Sequence, residues 1–149
     1  MSTGQSSKPI PVVCALILDK RGRVLAAKRG ICQDQCGLWE FPGGKIDEKE
    51  QEIKALEREL EEELGIKVKV GSRLEPYCHH YPTFTIFLIP YICGISEGVP
   101  IPHEHEEIFW VTPLQAAALE WAPADIPILK QYAELFMSRR VFREIEKIN

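Results

Sequence analysis

Residues 43–66 read Gly-Gly-Lys-Ile-Asp-Glu-Lys-Glu-Gln-Glu-Ile-Lys-Ala-Leu-Glu-Arg-Glu-Leu-Glu-Glu-Glu-Leu-Gly-Ile. Two glycines open the stretch as a turn, and the pattern that follows predicts a helix from about Gln51 to Leu64. Ile53, Leu56, Leu60 and Leu64 recur at i, i+3, i+7 and i+11 and form one apolar stripe to be buried. Gly65 supplies the left-handed stop after Leu64. The turn before that stop carries Glu59, Glu61, Glu62 and Glu63. Like charges at neighbouring helical positions repel, and the C-terminal end of a helix dipole favours cations. Stability alone does not select this arrangement, and a divalent cation would offset its cost. Glu59, Glu62 and Glu63 stand at i, i+3 and i+4, so their carboxylates share one face and can converge. Hard cations such as Mg²⁺ take oxygen ligands of this kind and keep some water and substrate phosphate in their shell.

Outward from this helix, the chain alternates apolar runs with turn residues. Ile10–Leu18 is β-branched and apolar and predicts a buried strand. The turn Asp19-Lys20-Arg21-Gly22 then returns Val24–Lys28 as its hairpin partner. Gly30–Gly37 is a polar loop, and Leu38–Phe41 is a short strand ended by Pro42-Gly43-Gly44. Lys67–Tyr77 and Thr83–Ile95 predict longer strands joined through His79-His80-Tyr81-Pro82, and Ile108–Val111 predicts another. Pro113–Leu119 reads as a short helix with proline in its first turn, and Asp125–Phe142 as a final helix. Strand hairpins with two substantial helices give an α+β sandwich. With no repeat and no linker, 149 residues make a single domain over 1–149, with Met1–Lys8 a disordered end.

Composition limits the function classes. Hydrophobic residues make up 45% and charged residues 27%, as in globular proteins generally. A net charge of −4 provides no basic surface for a nucleic-acid polymer and favours a free small molecule. No apolar run reaches membrane-spanning length and Met1–Lys8 lacks a signal-peptide core, so the reading is a cytoplasmic protein with no membrane partner. Five cysteines, an odd number, show no two-residue zinc or thioredoxin gap. Cys14 and Cys93 lie in apolar runs and read as small core residues. A Cys32–Cys36 disulfide is the minor alternative in a reducing compartment. The pairs His79-His80 and His103-x-His105 lack helical ligand spacing and read as surface or pocket-rim residues, not zinc ligands.

Gly44, Glu50, Arg58, Glu59, Leu60, Glu62, Glu63, Gly65 and Ile66 fill, with fixed gaps, the pattern of the Nudix box, and the stretch resembles it at every position. From Ile10 to about Phe136 the chain is similar to the MutT-type nucleoside triphosphate pyrophosphohydrolases and the related bacterial cytidine-nucleotide enzymes. The likeness is carried by Ala27-Lys28-Arg29, Gly37–Lys45, His103–Glu106, Phe109-Trp110-Val111 and Ala122–Pro127. The resemblance implies the Nudix α/β/α fold with a mixed sheet, and Mg²⁺-dependent cleavage of a triphosphate to monophosphate and pyrophosphate, with Mn²⁺ as a substitute. It implies metal ligation by the Gly43 carbonyl, Glu59, Glu62 and Glu63. Glu104 is a further carboxylate near the metals, as ligand or base. Arg58 would orient the glutamates. Arg29, which would meet phosphate, and Lys45 are carried over as substrate-binding. The chemistry suits these types. Cations neutralise charge building on phosphoanhydride oxygens, Arg58 stays protonated and grips carboxylates in a bidentate way, and glycines 43 and 44 admit close backbone approach.

Tyr81, Phe84 and Trp121 are the candidates to stack on a base. Asp125 stands where the guanine-selective relatives have asparagine. As an ionised acceptor it suits the amino group of cytosine, or the N1–H and amino group of guanine; its alternative role is to cap the last helix. Arg29 and Glu104 have plain surface alternatives. The leading reading is hydrolysis of damaged or non-standard triphosphates such as 8-oxo-dGTP. CTP or dCTP, nucleotide sugars and dinucleoside polyphosphates stay open as substrates. A binding module without activity is the third class, which a complete box disfavours. The oligomeric expectation is a monomer or homodimer.

Overall fold

A computed structural model describes residues 8–31 and 34–149. Of the start expected to be disordered, Met1–Lys8, all but Lys8 lies outside the described residues, as does Cys32 of the minor Cys32–Cys36 alternative. The elements in order are β1 (Ile10–Ile17), β2 (Val24–Lys28), β3 (Trp39–Glu40), β4 (Gly43–Lys45), α1 (Glu52–Leu64), β5 (Lys67–Arg73), β6 (Tyr77–His80), β7 (Thr85–Glu97), β8 (Glu107–Val111), α2 (Pro113–Ala116), a 3₁₀ turn (Pro123–Asp125), α3 (Ile126–Met137) and α4 (Arg140–Ile148).

The architecture is α+β with a mixed sheet at its centre. Its strand order is β4-β1-β7-β5, with β6 also on β7; β1 and β7 run parallel and the other pairs antiparallel. A second, antiparallel sheet has the order β3-β2-β8. The pleat of β1 feeds two cores at once. Val13, Ala15 and Ile17 pack with Leu56, Leu60 and Leu64 of α1. Cys14 and Leu16 point the other way, into a cluster with Ile128, Tyr132, Val141 and Ile145 of α3 and α4. The sheet is therefore sandwiched between α1 and the pair α3–α4, which places α1 on one fixed face.

Four expectations change. Val24–Lys28 is not the hairpin partner of β1: only Leu18 and Val24 bridge. β7 takes the whole of one edge of β1 and β4 takes Val12–Cys14 on the other, while β2 pairs along its full length with β8. Gly43–Lys45 is a strand as well as a turn, with Gly43 opposite Cys14 and Gly44 opposite Val13. Ile53 is 42% exposed although it lies on the apolar face. That end of α1 is held by polar contacts, since the Glu52 carboxylate accepts from Tyr91 Oη at 2.7 Å and from Arg73 Nε at 3.0 Å. The last helix breaks at Arg139, whose φ of 64° is left-handed. Val141, Ile145 and Ile148 then bury a separate stripe, with Ile148 lying over Gly71 and Gly94. Among the described residues no helix is long and apolar enough to cross a membrane.

Candidate active site

α1 delivers its acidic turn beside β4. The helix ends as the sequence requires, with Gly65 at φ 68° and its N–H on the Glu61 carbonyl. A Cβ on Gly44 would collide with the Glu59 carboxyl, and a Cβ on Gly43 would collide with the Val13 carbonyl. The two glycines thus let a sheet backbone lie directly on a helix carboxylate.

Arg58 organises the near side of the cluster. Its Nε and Nη2 grip Glu50 at 2.9 and 2.8 Å. This holds Glu50 down at about 2, with help from the Asp47 backbone N–H. Nη2 also donates to the Lys45 carbonyl at 3.2 Å, and Nη1 reaches Glu59 at 3.3 Å and Glu62 at 3.4 Å. Glu59 is shifted upward, chiefly by burial, with Arg58 opposing and Glu62 and Glu104 adding repulsion. Glu63 is 7% exposed and its Oε1 has no hydrogen-bond partner among the described residues. Burial first, then the charges of Glu40, Glu59 and Glu104, push its carboxyl up to about 9. Glu62 is drawn outward, with its side chain 53% exposed. As the side chains stand, no three His, Cys, Asp or Glu among the described residues close around one point. The donor set nevertheless fits a divalent cation. An orphaned buried carboxylate oxygen amid other carboxylates is an excess of acceptors and negative charge that a cation would offset, and the half-exposed Glu62 is held by Arg58 through Oε1 alone.

Glu63 lines one part of a cleft of about 750 Å³, together with Gly43, Gly44 and Lys45. Another part is lined by Tyr81, Phe84, Ala124 and Asp125. The Tyr81 and Phe84 rings stack on each other at 5.0 Å and 29°, and Tyr81 Oη accepts from the Ala124 N–H at 3.4 Å. Asp125 is 6% exposed and accepts from the Phe41 N–H at 2.9 Å. It precedes α3 but makes no side-chain cap bond, so the helix-cap alternative fails. Burial, then the charge of Glu40, push its carboxyl well above the ordinary range. An aspartate carrying a proton donates as well as accepts. Trp121 is not on the cleft. It is buried against Phe41 at 4.8 Å with its N–H on the Ala116 carbonyl.

Arg29 also lines the cleft, with Nη1 on Glu40 Oε1 at 2.7 Å and Nε on the Asp34 carbonyl. Glu104 is exposed and bears electrostatically on both Glu59 and Glu63. Sequence reasoning gave Glu40 no role and did not pair it with His105. The only available signal for Glu40 was a carboxylate set between Trp39 and Phe41 in an apolar run. His105 lines the cleft, as a pocket residue was expected to, but is buried at 7% exposed, with its Nε2 2.8 Å from Glu40 Oε2. Nothing local announces a contact between positions 40 and 105.

Residues 8–132 match the family described as "NUDIX domain". The chain is similar to the CTP pyrophosphohydrolase of Escherichia coli, at 40% identity over 136 residues that cover 91% of this chain and 97% of the relative. It is similar to the 8-oxo-dGTP diphosphatase of Haemophilus influenzae, at 34% identity over 82% of this chain and 90% of the relative. Among solved structures, the E. coli ORF135 protein superposes with a TM-score of 0.77 at 38% identity, covering 90% and 95% of the two chains. A MutT Nudix hydrolase from Burkholderia pseudomallei superposes with a TM-score of 0.76 at 28% identity, covering 84% and 98%.

Proposed function

The chain belongs to the Nudix hydrolase family, enzymes that act on phosphoric anhydrides, and from that premise we propose that it cleaves (deoxy)nucleoside triphosphates to monophosphate and pyrophosphate with Mg²⁺. One observation carries the reading: a single cleft joins the carboxylate of Glu63 to the aromatic pair Tyr81–Phe84 and the buried Asp125. A phosphate chain and a base are the two ends such a cleft suits. Glu59, Glu62 and Glu63, with the Gly43 carbonyl, would hold the cation, which when bound neutralises charge on the reacting phosphate oxygens. Arg58 holds Glu59 and Glu62 in place. Glu104 serves as a further ligand or as the base that takes a proton from the attacking water. Arg29 and Lys45 offer positive charge to the phosphates.

The oxygen of water attacks the β-phosphorus, and the bond from that phosphorus to the α–β bridging oxygen breaks. The monophosphate leaves with the bridging oxygen, and the solvent oxygen ends in pyrophosphate. Hydrolysis in ¹⁸O water checks this; label in the monophosphate would mean attack at the α-phosphorus.

Asp125 and the aromatic pair select the base. A nucleotide-pool role on oxidised triphosphates such as 8-oxo-dGTP is the first reading. Cytidine triphosphates are the second, favoured by the 40% identity that runs through nearly the whole length of the CTP pyrophosphohydrolase relative. The deciding measurement is kcat/KM with Mg²⁺ on 8-oxo-dGTP, dGTP, CTP and dCTP, with a nucleotide sugar and a dinucleoside polyphosphate alongside. Preference for either of the last two would overturn the triphosphate reading.

A further inference from the structure

Glu104 has no hydrogen bond or ion pair of its own among the described residues, and it sits in a stretch without helix or strand between β7 and β8. Its charge bears on the carboxyls of Glu59 and Glu63 and helps to push both upward. An exposed loop carboxylate so placed should swing away, because repulsion and side-chain entropy both favour that. Its two neighbours are both anchored. On one side, the His103 N–H donates to the Glu63 carbonyl at 2.9 Å and His103 Nδ1 meets the Glu62 carbonyl at 3.1 Å. The same ring lies against Gly65, where a Cβ would come within 3.2 Å of it. On the other side, the His105 side chain is 2% exposed and its Nε2 meets Glu40 Oε2 at 2.8 Å. The other oxygen of Glu40 is held by Arg29 at 2.7 Å. Carbonyls and carboxylates only accept, so Nδ1 of His103 and Nε2 of His105 carry the protons and donate.

We propose that His103 and His105 are positioning residues, a two-sided clasp that holds Glu104 against the acidic end of α1, a role that rests on the divalent-cation reading of that cluster. The alternating His-Glu-His has a physical logic here. The chain bends through residues 103–106, so the two rings anchor to different elements, His103 to α1 and His105 to β3, with Glu104 between them. His103 ties the loop to the helix that carries the carboxylates. His105 ties it to β3, across the cleft wall, through the oxygen of Glu40 that Arg29 leaves free. Glu104 is thereby fixed without spending its own oxygens, which remain available to a cation or a water.

Glutamine and asparagine separate this role from bulk and burial. A Gln amide reaches about as far as histidine Nε2, whereas an Asn amide stops near Nδ1 and falls short of Glu40. Binding of Mn²⁺ alone, read as loss of the free-ion EPR signal, and kcat and KM on the best nucleotide would be measured for wild type, His105→Gln and His105→Asn, each with and without Glu104→Gln. His105→Asn is expected to weaken Mn²⁺ binding and lower kcat by roughly 10–100-fold with a smaller change in KM, and His105→Gln to recover most of that loss. In the Glu104→Gln background the Asn and Gln variants should become alike, because the residue being positioned is gone. Equal effects of Asn and Gln, or the same Asn penalty with and without Glu104, would overturn the clasp while leaving the hydrolase reading intact. Wild-type protein that binds no Mn²⁺ would overturn the cation reading and the clasp with it.

Discussion

Glu63 is the residue whose chemistry is most altered by its setting. Its carboxyl is raised from an ordinary value of 4.5 to about 9. Between those limits the folded protein keeps a proton that the unfolded chain has released. A state that holds more protons is disfavoured as pH rises, so this group's stabilising contribution is complete below about 4.5 and is lost as pH climbs towards 9. A cation would displace that proton. Melting curves should therefore show Mg²⁺ raising Tm more at about pH 8.5 than at about pH 6, because metal binding releases the proton; equal shifts at both would remove Glu63 from the ligand set. Glu62 is the complementary case. Its side chain is 53% exposed, so Glu62→Gln should leave Tm within about 0.5 kcal/mol of stability yet cut kcat by at least about a hundredfold. Near wild-type turnover at saturating Mg²⁺ would sink its assignment. Asp125 separates stability from selectivity. Asp125→Ala strands the buried Phe41 N–H and should cost about 1–3 kcal/mol. Asp125→Asn keeps an acceptor for that N–H, so Tm should hold while the ranking of 8-oxo-dGTP, dGTP, CTP and dCTP by kcat/KM changes. An unchanged ranking would leave Asp125 a structural residue.

The strand β4 and the helix α1 meet through two glycines with different neighbours. A Cβ at 43 runs into the Val13 carbonyl, which is main chain in the middle of β1. A Cβ at 44 runs into the Glu59 carboxyl, the far end of a side chain that can turn aside. Gly43→Ala should therefore part β4 from β1 and destabilise by about 1–3 kcal/mol. Gly44→Ala should keep Tm nearly constant and lower kcat by displacing Glu59. A calorimetric scan beside steady-state kinetics distinguishes the pair, and the same stability loss in both variants would refute the assignment of the two contacts. The far end of α1 is held differently, by Glu52 on Tyr91 and Arg73, so the helix is pinned at both termini and its acidic turn has a fixed height above the sheet.

The molecule as a whole adds a restraint on partners. With a net charge of −4 it generates no long-range attraction for a polyanion. On the cleft wall Arg29 and Lys45 would supply positive charge to a triphosphate. Double-stranded DNA or single-stranded RNA added at excess should leave nucleotide hydrolysis unaffected at low salt, where any polyelectrolyte binding is strongest. Competitive inhibition by either polymer would contradict this restraint.

The helix from about Gln51 to Leu64, its glycine stop and the four-glutamate turn were legible in the chain because each depends on neighbours within a few residues. Helical periodicity, a left-handed glycine and charge spacing are local properties, and the match of Gly44 through Ile66 to the Nudix pattern is a set of fixed gaps along one backbone. The buried strand Ile10–Leu18 was legible for the same reason. What was not legible depended on which edges and faces were already occupied. Val24–Lys28 left β1 after the Leu18–Val24 bridge and paired with β8, a strand far later in the chain. Trp121 went to the core beside Phe41 instead of the cleft, and the final helix broke at Arg139 so that Ile148 could lie on Gly71 and Gly94. The bond between His105 and Glu40 joins positions 65 residues apart. Such a contact exists only once two sheets and a loop have packed, because a buried histidine and a half-buried carboxylate are each costly until they meet.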